Sequence, residues 1–211
     1  MALLMVHLLA AQRWAHRHTE YLNNPDFYLG VISPDAIHVR DHDDKSHKDE
    51  IHLYNWRQVR PEYVQAYWQA HSAPFDIGYG IHVLTDGQWV AAYRERFPQL
   101  FLPDGKVDTH VYYHDTFLSD FALYDDDGKE NGLFALVAQG RAPSDHPLLR
   151  EYELVEWQHM MLNAYREGCR ETGVPEYIDK AFCLEFLDRC QSTLDEVYAQ
   201  TFKSEKQTEL L

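Results

Sequence analysis

The sequence predicts an all-α protein, a single-domain helical bundle, and three observations lead there. Long segments carry apolar residues at helical spacing, above all 3–18, 74–98, 148–167 and 176–202. Segments that alternate with the two-residue period of a strand are very few. Proline stands at the joints between the periodic segments, at Pro25, Pro61, Pro74, Pro98, Pro147 and Pro175. With 211 residues and 45% hydrophobic side chains, the chain is long enough for one sizeable core. Its 14% aromatic share is more than a disordered chain carries.

In the first segment Leu4, His7, Leu8, Ala11 and Trp14 or Ala15 fall on one helical face. Residues 25–58 read as irregular, punctuated by Pro25, Gly30 and the turn Ser33-Pro34-Asp35, and dense in Asp, His and Lys from Asp41 to Glu50. Pro61 suits the first position of a helix reaching Gln69 or so. A longer helix follows Pro74 and ends near Pro98, with Tyr79, His82, Val83, Asp86, Val90 and Tyr93 on its repeating face. Residues 103–112 read as a loop, Thr116–Tyr124 as a helix, and Asp125-Asp126-Asp127-Gly128 as an acidic turn. Over 132–139 the period does not separate a short helix from a buried strand. The helix after Pro147 carries Leu148, Tyr152, Val155, His159 and Leu162 on one face, and Gly168 and Gly173 break the chain behind it. The last helix, about Glu176–Phe202, contributes Ile178, Phe182, Leu187, Leu194 and Tyr198, which gives a domain over 1–202 and a fraying polar tail over 203–211.

The net charge of −15 disfavours a nucleic-acid polymer as partner, because such surfaces need clustered Lys and Arg. It leaves a phosphate substrate open, since acidic residues around bound cations present a locally positive pocket. Cys169, Cys183 and Cys190 match no zinc-ribbon spacing and read as reduced thiols packed in helices. The apolar start MALLMVHLLAAQRW lacks a basic leader and is interrupted by His7, and no stretch has the length of a membrane span. Together these predict a cytoplasmic protein and leave the oligomeric state open.

Thirteen histidines are the unusual count, and several sit where chemistry is possible. His82 and Asp86 are four apart, so a helix puts both on one face, and imidazole with carboxylate suits zinc, iron or nickel. That face is apolar, and a buried carboxylate is costly unless paired or coordinated. The loop from Ser33 to His52 offers Asp35, His38, His42, His47 and His52, with Asp41, Asp43, Asp44 and Asp49 between them. The bland alternative is a solvated acidic loop. His7 reads as a core histidine or a ligand. His110 and His114-Asp115 extend a metal site, or else Asp115 caps the helix placed behind it. Glu156 and His159 form one Glu-x-x-His, half of what a carboxylate-bridged di-iron site requires.

The order of HLLAAQRWA, FYLGVISPDA, KSHKDE and GYGIHVLTDGQW resembles the zinc-dependent phospholipase C family, which overlaps with the P1-type nucleases. The resemblance covers about residues 4–95 and implies an all-helical fold that holds zinc between helices and cleaves phosphoesters. It implies a first metal site of Asp35, His47, His82 and Asp86, with His47 preferred to His52 on its Ser-His context. It also implies that Asp86 bridges to a second ion facing His7. Position 92 is Ala where secreted members have His, and the late His-x-x-x-acid pair is absent. One or two ions are therefore expected rather than three, with His110, His114, Asp115 or His159 completing the second. Asp35 is the catalytic candidate, as ligand and as the group orienting the attacking water. The expected substrate is a small phosphoester or a phospholipid head group. The competing readings are a non-catalytic helical protein that binds metal or a partner, and a His-Asp phosphohydrolase with His114 and Asp115 at its metal centre.

Overall fold

The computed structural model describes residues 3–41, 47–55, 58–128, 132–167, 170 and 172–208. Eleven α-helices make up the described architecture, and the only strands among those residues are the two-residue pieces β1 (Tyr54–Asn55) and β2 (Gln58–Val59), paired antiparallel. Helix α1 (Leu4–Ala15) is buried on all sides, from Met5 through Ala11 and again at Trp14 and Ala15. A helix that is apolar all round has to lie inside the bundle. No helix among the described residues is long and apolar enough to cross a membrane.

The stretch expected to be irregular, 25–58, is largely helical. Helix α2 (Pro25–Ile32) opens with Pro25 in its first turn, and the Asn24 side chain accepts hydrogen bonds from the Asp26 and Phe27 amides. A 3-10 turn over Ser33–Ala36 then leads into α3 (Ile37–Asp41), and after residues outside the description comes α4 (Lys48–Ile51). Gly30, which looked like punctuation, is a point of contact. A Cβ on Gly30 would lie 2.0 Å from the Phe75 carbonyl oxygen, and one on Gly78 would lie 2.1 Å from that of Phe27. These two glycines let α2 lie backbone to backbone against α6 (Pro74–Arg96), and that contact fixes the helix carrying His82 and Asp86.

Helix α5 (Pro61–Ala70) follows its proline as expected. Helix α7 (Thr109–Leu123) begins well before Thr116, because Asp108, not Asp115, is its cap and accepts from the His110 and Val111 amides. A π-helical turn over Tyr124–Gly128 ends it, and 133–139 resolves as α8 (Leu133–Gln139). Helix α9 (Glu151–Glu167) turns a different face inward from the one expected. Leu154, Gln158 and Leu162 are buried with Glu153, while Tyr152 and Val155 are exposed. The buried Glu153 takes a two-pronged ion pair from Arg40, at 2.7 and 2.8 Å, which sets the rotation of α9. The long last helix is two, α10 (Lys180–Arg189), capped by Asp179, and α11 (Gln191–Thr208), and the second continues into the segment expected to fray. Cys183 and Cys190 are buried thiols, as expected, and Cys169 lies outside the described residues.

Gly78→Ala is expected to cost at least about 2 kcal/mol, the scale of a core overpacked against backbone that cannot yield. Equilibrium denaturant unfolding measures it, and Gly105→Ala, whose Cβ meets nothing, is the control for a glycine at positive φ.

Candidate metal centre

Four stretches of chain deliver five side chains to one place. Helix α1 supplies His7, which is 2% exposed. The 3-10 turn after α2 supplies Asp35, and the chain leaving α4 supplies His52, which is wholly buried. Helix α6 supplies His82 and Asp86, both 1% exposed. His52 Nε2 lies 3.2 Å from Asp35 Oδ1 and 3.9 Å from Asp86 Oδ2, and His82 Nε2 lies 4.0 Å from a carboxylate oxygen of each. His7 stacks on His82, with ring centres 3.8 Å apart and planes 8° from parallel, and its Nε2 is 3.4 Å from Asp86 Oδ1.

The backbone decides which ring nitrogen carries the proton. His82 Nδ1 lies 2.7 Å from the Val31 carbonyl oxygen, and a carbonyl only accepts, so Nδ1 donates. Burial, with His7 beside it, pushes the His82 pKa down to about 3, so near neutral pH its Nε2 carries a lone pair. That Nε2 is buried, has no hydrogen-bond partner among the described residues, and faces two carboxylates. His52 is held from both ends, with Nδ1 3.1 Å from the Lys48 carbonyl oxygen and Nε2 3.2 Å from Asp35 Oδ1. Burial works to raise the Asp35 pKa, but His52, His82 and Lys48 outweigh it and hold the carboxyl well below its ordinary range. The His82 lone pair and the ionised carboxylates it faces repel unless a cation lies between them. Four donor atoms bound to one zinc ion at the usual bond lengths stand about 3.4 Å apart, close to the 3.2–4.0 Å separations here. Two overlapping groups, His7 with Asp35 and His82, and His52 with His82 and Asp86, each bring one ligand atom per residue within 4.8 Å of the others, and His82 belongs to both.

Other candidate residues lie elsewhere. His47 is half exposed and pairs with Asp41 at 3.0 Å, so the loop histidine of the cluster is His52, not the preferred His47. The chain turns between them, because α4 starts after His47 and ends before His52. Asp115 is buried, but it accepts from the Glu176, Tyr177 and Ile178 amides and so anchors the loop entering α10. His114 hydrogen-bonds Asp115 at 3.2 Å, and neither residue joins the cluster among the described residues. Glu156 and His159 line a groove on the outer face of α9. His38 stands 3.9 Å from Asp35, and His42, Asp43 and Asp44 lie outside the described residues.

A cavity of about 260 Å³ opens on the cluster. His7, Asp35 and His82 stand in its wall, and Phe117 and Phe121 of α7 and Trp157 and Met161 of α9 face them. Trp157 Nε1 donates to the Ile32 carbonyl at 2.8 Å, which ties α9 to the end of α2. Tyr113 and Phe117 are 43% and 44% exposed, so apolar surface runs from the cavity out to solvent. No Lys or Arg lines it among the described residues. Sequence reasoning missed Asp120 and Tyr165, which also line it; a lone Asp in an apolar helix gives no spacing signal.

Comparison with protein-family models, with curated proteins and with solved structures finds no match to this chain.

Between about pH 6.5 and pH 3 the unfolded chain protonates His82 while the folded chain does not, so stability falls as pH falls through that window. Asp35, depressed in the folded state, adds to the same trend below its unfolded pKa. Thermal unfolding in chelator across pH 4–8 should show this slope, and His82→Gln should flatten it.

Proposed function

We propose that this protein is a metal-dependent phosphoester hydrolase whose ion, zinc by the donor set, is held by Asp35, His52, His82 and Asp86. The observation that carries the reading is the buried His82 Nε2, fixed in its unprotonated form by Val31 and aimed at two carboxylates in the wall of an open cavity. The resemblance to the zinc-dependent phospholipase C family supports it, with His52 taking the place expected of His47. Two buried carboxylates face the neutral His82 imidazole, and a divalent ion between them would balance their charge.

An ion held in this place would supply Lewis acidity, which makes water more acidic and draws charge from phosphoryl oxygens. The protein's own groups do the rest. The Val31 and Lys48 carbonyls orient the two imidazoles, the outer support such ligands need. His7 steadies the Asp86 oxygen turned away from His52. Asp35, 13% exposed and part of the cavity wall, is the cluster carboxylate placed to orient the attacking water. Phe117, Phe121 and Trp157 exclude bulk water and accept an apolar substituent. A lining without Lys or Arg favours a singly charged phosphodiester over a monoester dianion, and the exposed apolar rim suits a small or lipid-like diester.

Elemental analysis of untagged protein tests the site. Wild type and His47→Ala should carry zinc, while His52→Ala and His82→Ala should lose it together with hydrolysis of bis(4-nitrophenyl) phosphate. Chelation should lower stability by about 4 kcal/mol where free zinc had stood at a thousand times its dissociation constant. A wild type that takes up no metal on reconstitution would refute the proposal. Zinc retained without turnover on any phosphodiester would leave a metal-stabilised binding protein.

A further inference from the structure

Among the described residues, two carboxylates line the cavity: Asp35 belongs to the cluster, and Asp120 does not. Asp120 projects from α7, is 2% exposed, and is held by donors alone. Its Oδ1 accepts from the Met5 amide at 3.0 Å, the Val6 amide also bonds it, and its Oδ2 accepts from the Tyr165 hydroxyl. A carboxylate has about four acceptor sites, so one remains. The groups facing it are the Met5 and Val6 amides and His7 from α1, Tyr165 from α9 and Cys183 from α10. No Lys or Arg pairs with it among the described residues, and burial raises its pKa to about 7 against the three donors. An acid poised near the working pH is what proton transfer to a departing oxygen requires.

We propose that Asp120 is the proton donor to the leaving-group oxygen of the phosphodiester in this cavity, with Tyr165 as the residue that positions its carboxyl. The inference rests on the hydrolase reading above. The bond formed joins the water oxygen to phosphorus, and the bond broken joins phosphorus to the ester oxygen. The ester oxygen departs as an alcohol carrying the Asp120 proton. The proton lost by the water passes to solvent, and Asp120 regains one from solvent. A second role is built into the same contacts, since Asp120 also satisfies amides at the start of α1, where the backbone lacks partners of its own. Asn at this position keeps an acceptor for Met5 but has no acidic proton to give, which separates the two roles.

The test uses zinc-loaded wild type, Asp120→Asn and Tyr165→Phe, with zinc content and melting temperature recorded for each. Two substrates are compared: bis(4-nitrophenyl) phosphate, whose leaving group departs without a proton, and dibutyl phosphate, whose leaving group needs one. Asp120→Asn should keep its zinc and lose on the order of 10²-fold or more in kcat toward dibutyl phosphate, with little loss toward the nitrophenyl ester. The wild-type rate on dibutyl phosphate should decline above about pH 7, and the variant should lack that decline. Tyr165→Phe leaves Asp120 in place and should show the same substrate split to a smaller degree, so the outcome does not depend on one variant folding. Equal losses on both substrates, or none, would assign Asp120 to capping alone and overturn the proposal. A wild type active only on the nitrophenyl ester would overturn it as well, while leaving the hydrolase reading intact. Turnover of neither substrate by zinc-loaded protein would defeat both.

Discussion

The hydrogen bond from His82 Nδ1 to the Val31 carbonyl oxygen is the contact on which the centre turns. It joins the last turn of α2 to the middle of α6, and it forms because Gly30 and Gly78 let the two backbones touch. It sets the tautomer of His82, and through the tautomer the direction of a lone pair. The next residues after Val31 bend into the 3-10 turn that returns Asp35 to face that lone pair. A purely steric feature, the absence of two Cβ atoms, thus precedes an electrostatic one.

The cluster is costly for a protein to bury. Asp86 is sealed from water and Asp35 nearly so, and the basic groups found within 4.0 Å of them among the described residues are histidines rather than Lys or Arg. Elsewhere the same molecule handles a buried carboxylate differently. Glu153 receives the Arg40 guanidinium on both oxygens, and Asp115 receives three backbone amides. Those two are closed arrangements, with every donor present in the fold. At the centre it is instead the His82 lone pair that faces the carboxylates, and that contrast within one chain supports a cation there more than the spacing of any single motif does.

Much of this was legible in the sequence. The all-α class followed from period and proline placement, and α5 and α6 lie where Pro61 and Pro74 put them. His82, Asp86, Asp35 and His7 were singled out from a helical spacing, a Pro-Asp turn and a histidine on an apolar face. What failed did so for physical reasons. His47 and His52 bracket a single helical turn, and local context carries no information about which end points inward. The face of α9 was misjudged because Leu154, Trp157, Met161 and Tyr165 also recur at helical spacing, and only packing against elements remote in sequence, Arg40 among them, selects between the two faces. Asp115 looked like a cap because its true partners, the amides of 176–178, lie far along the chain. Asp120 and Tyr165 meet only through tertiary packing, so nothing in either local segment announces the pair.

The wall of the cavity is divided by chain position. Among the described residues, those from 7 to 86 furnish the His/Asp cluster, and the aromatic wall opposite comes from α7 and α9, beginning at Tyr113. Few of the cluster's contacts depend on which apolar side chain stands at 117, 121, 157 or 161. Substitution at the apolar positions 117, 121 and 161 would therefore reshape the space in front of the cluster while leaving the His/Asp contacts themselves in place.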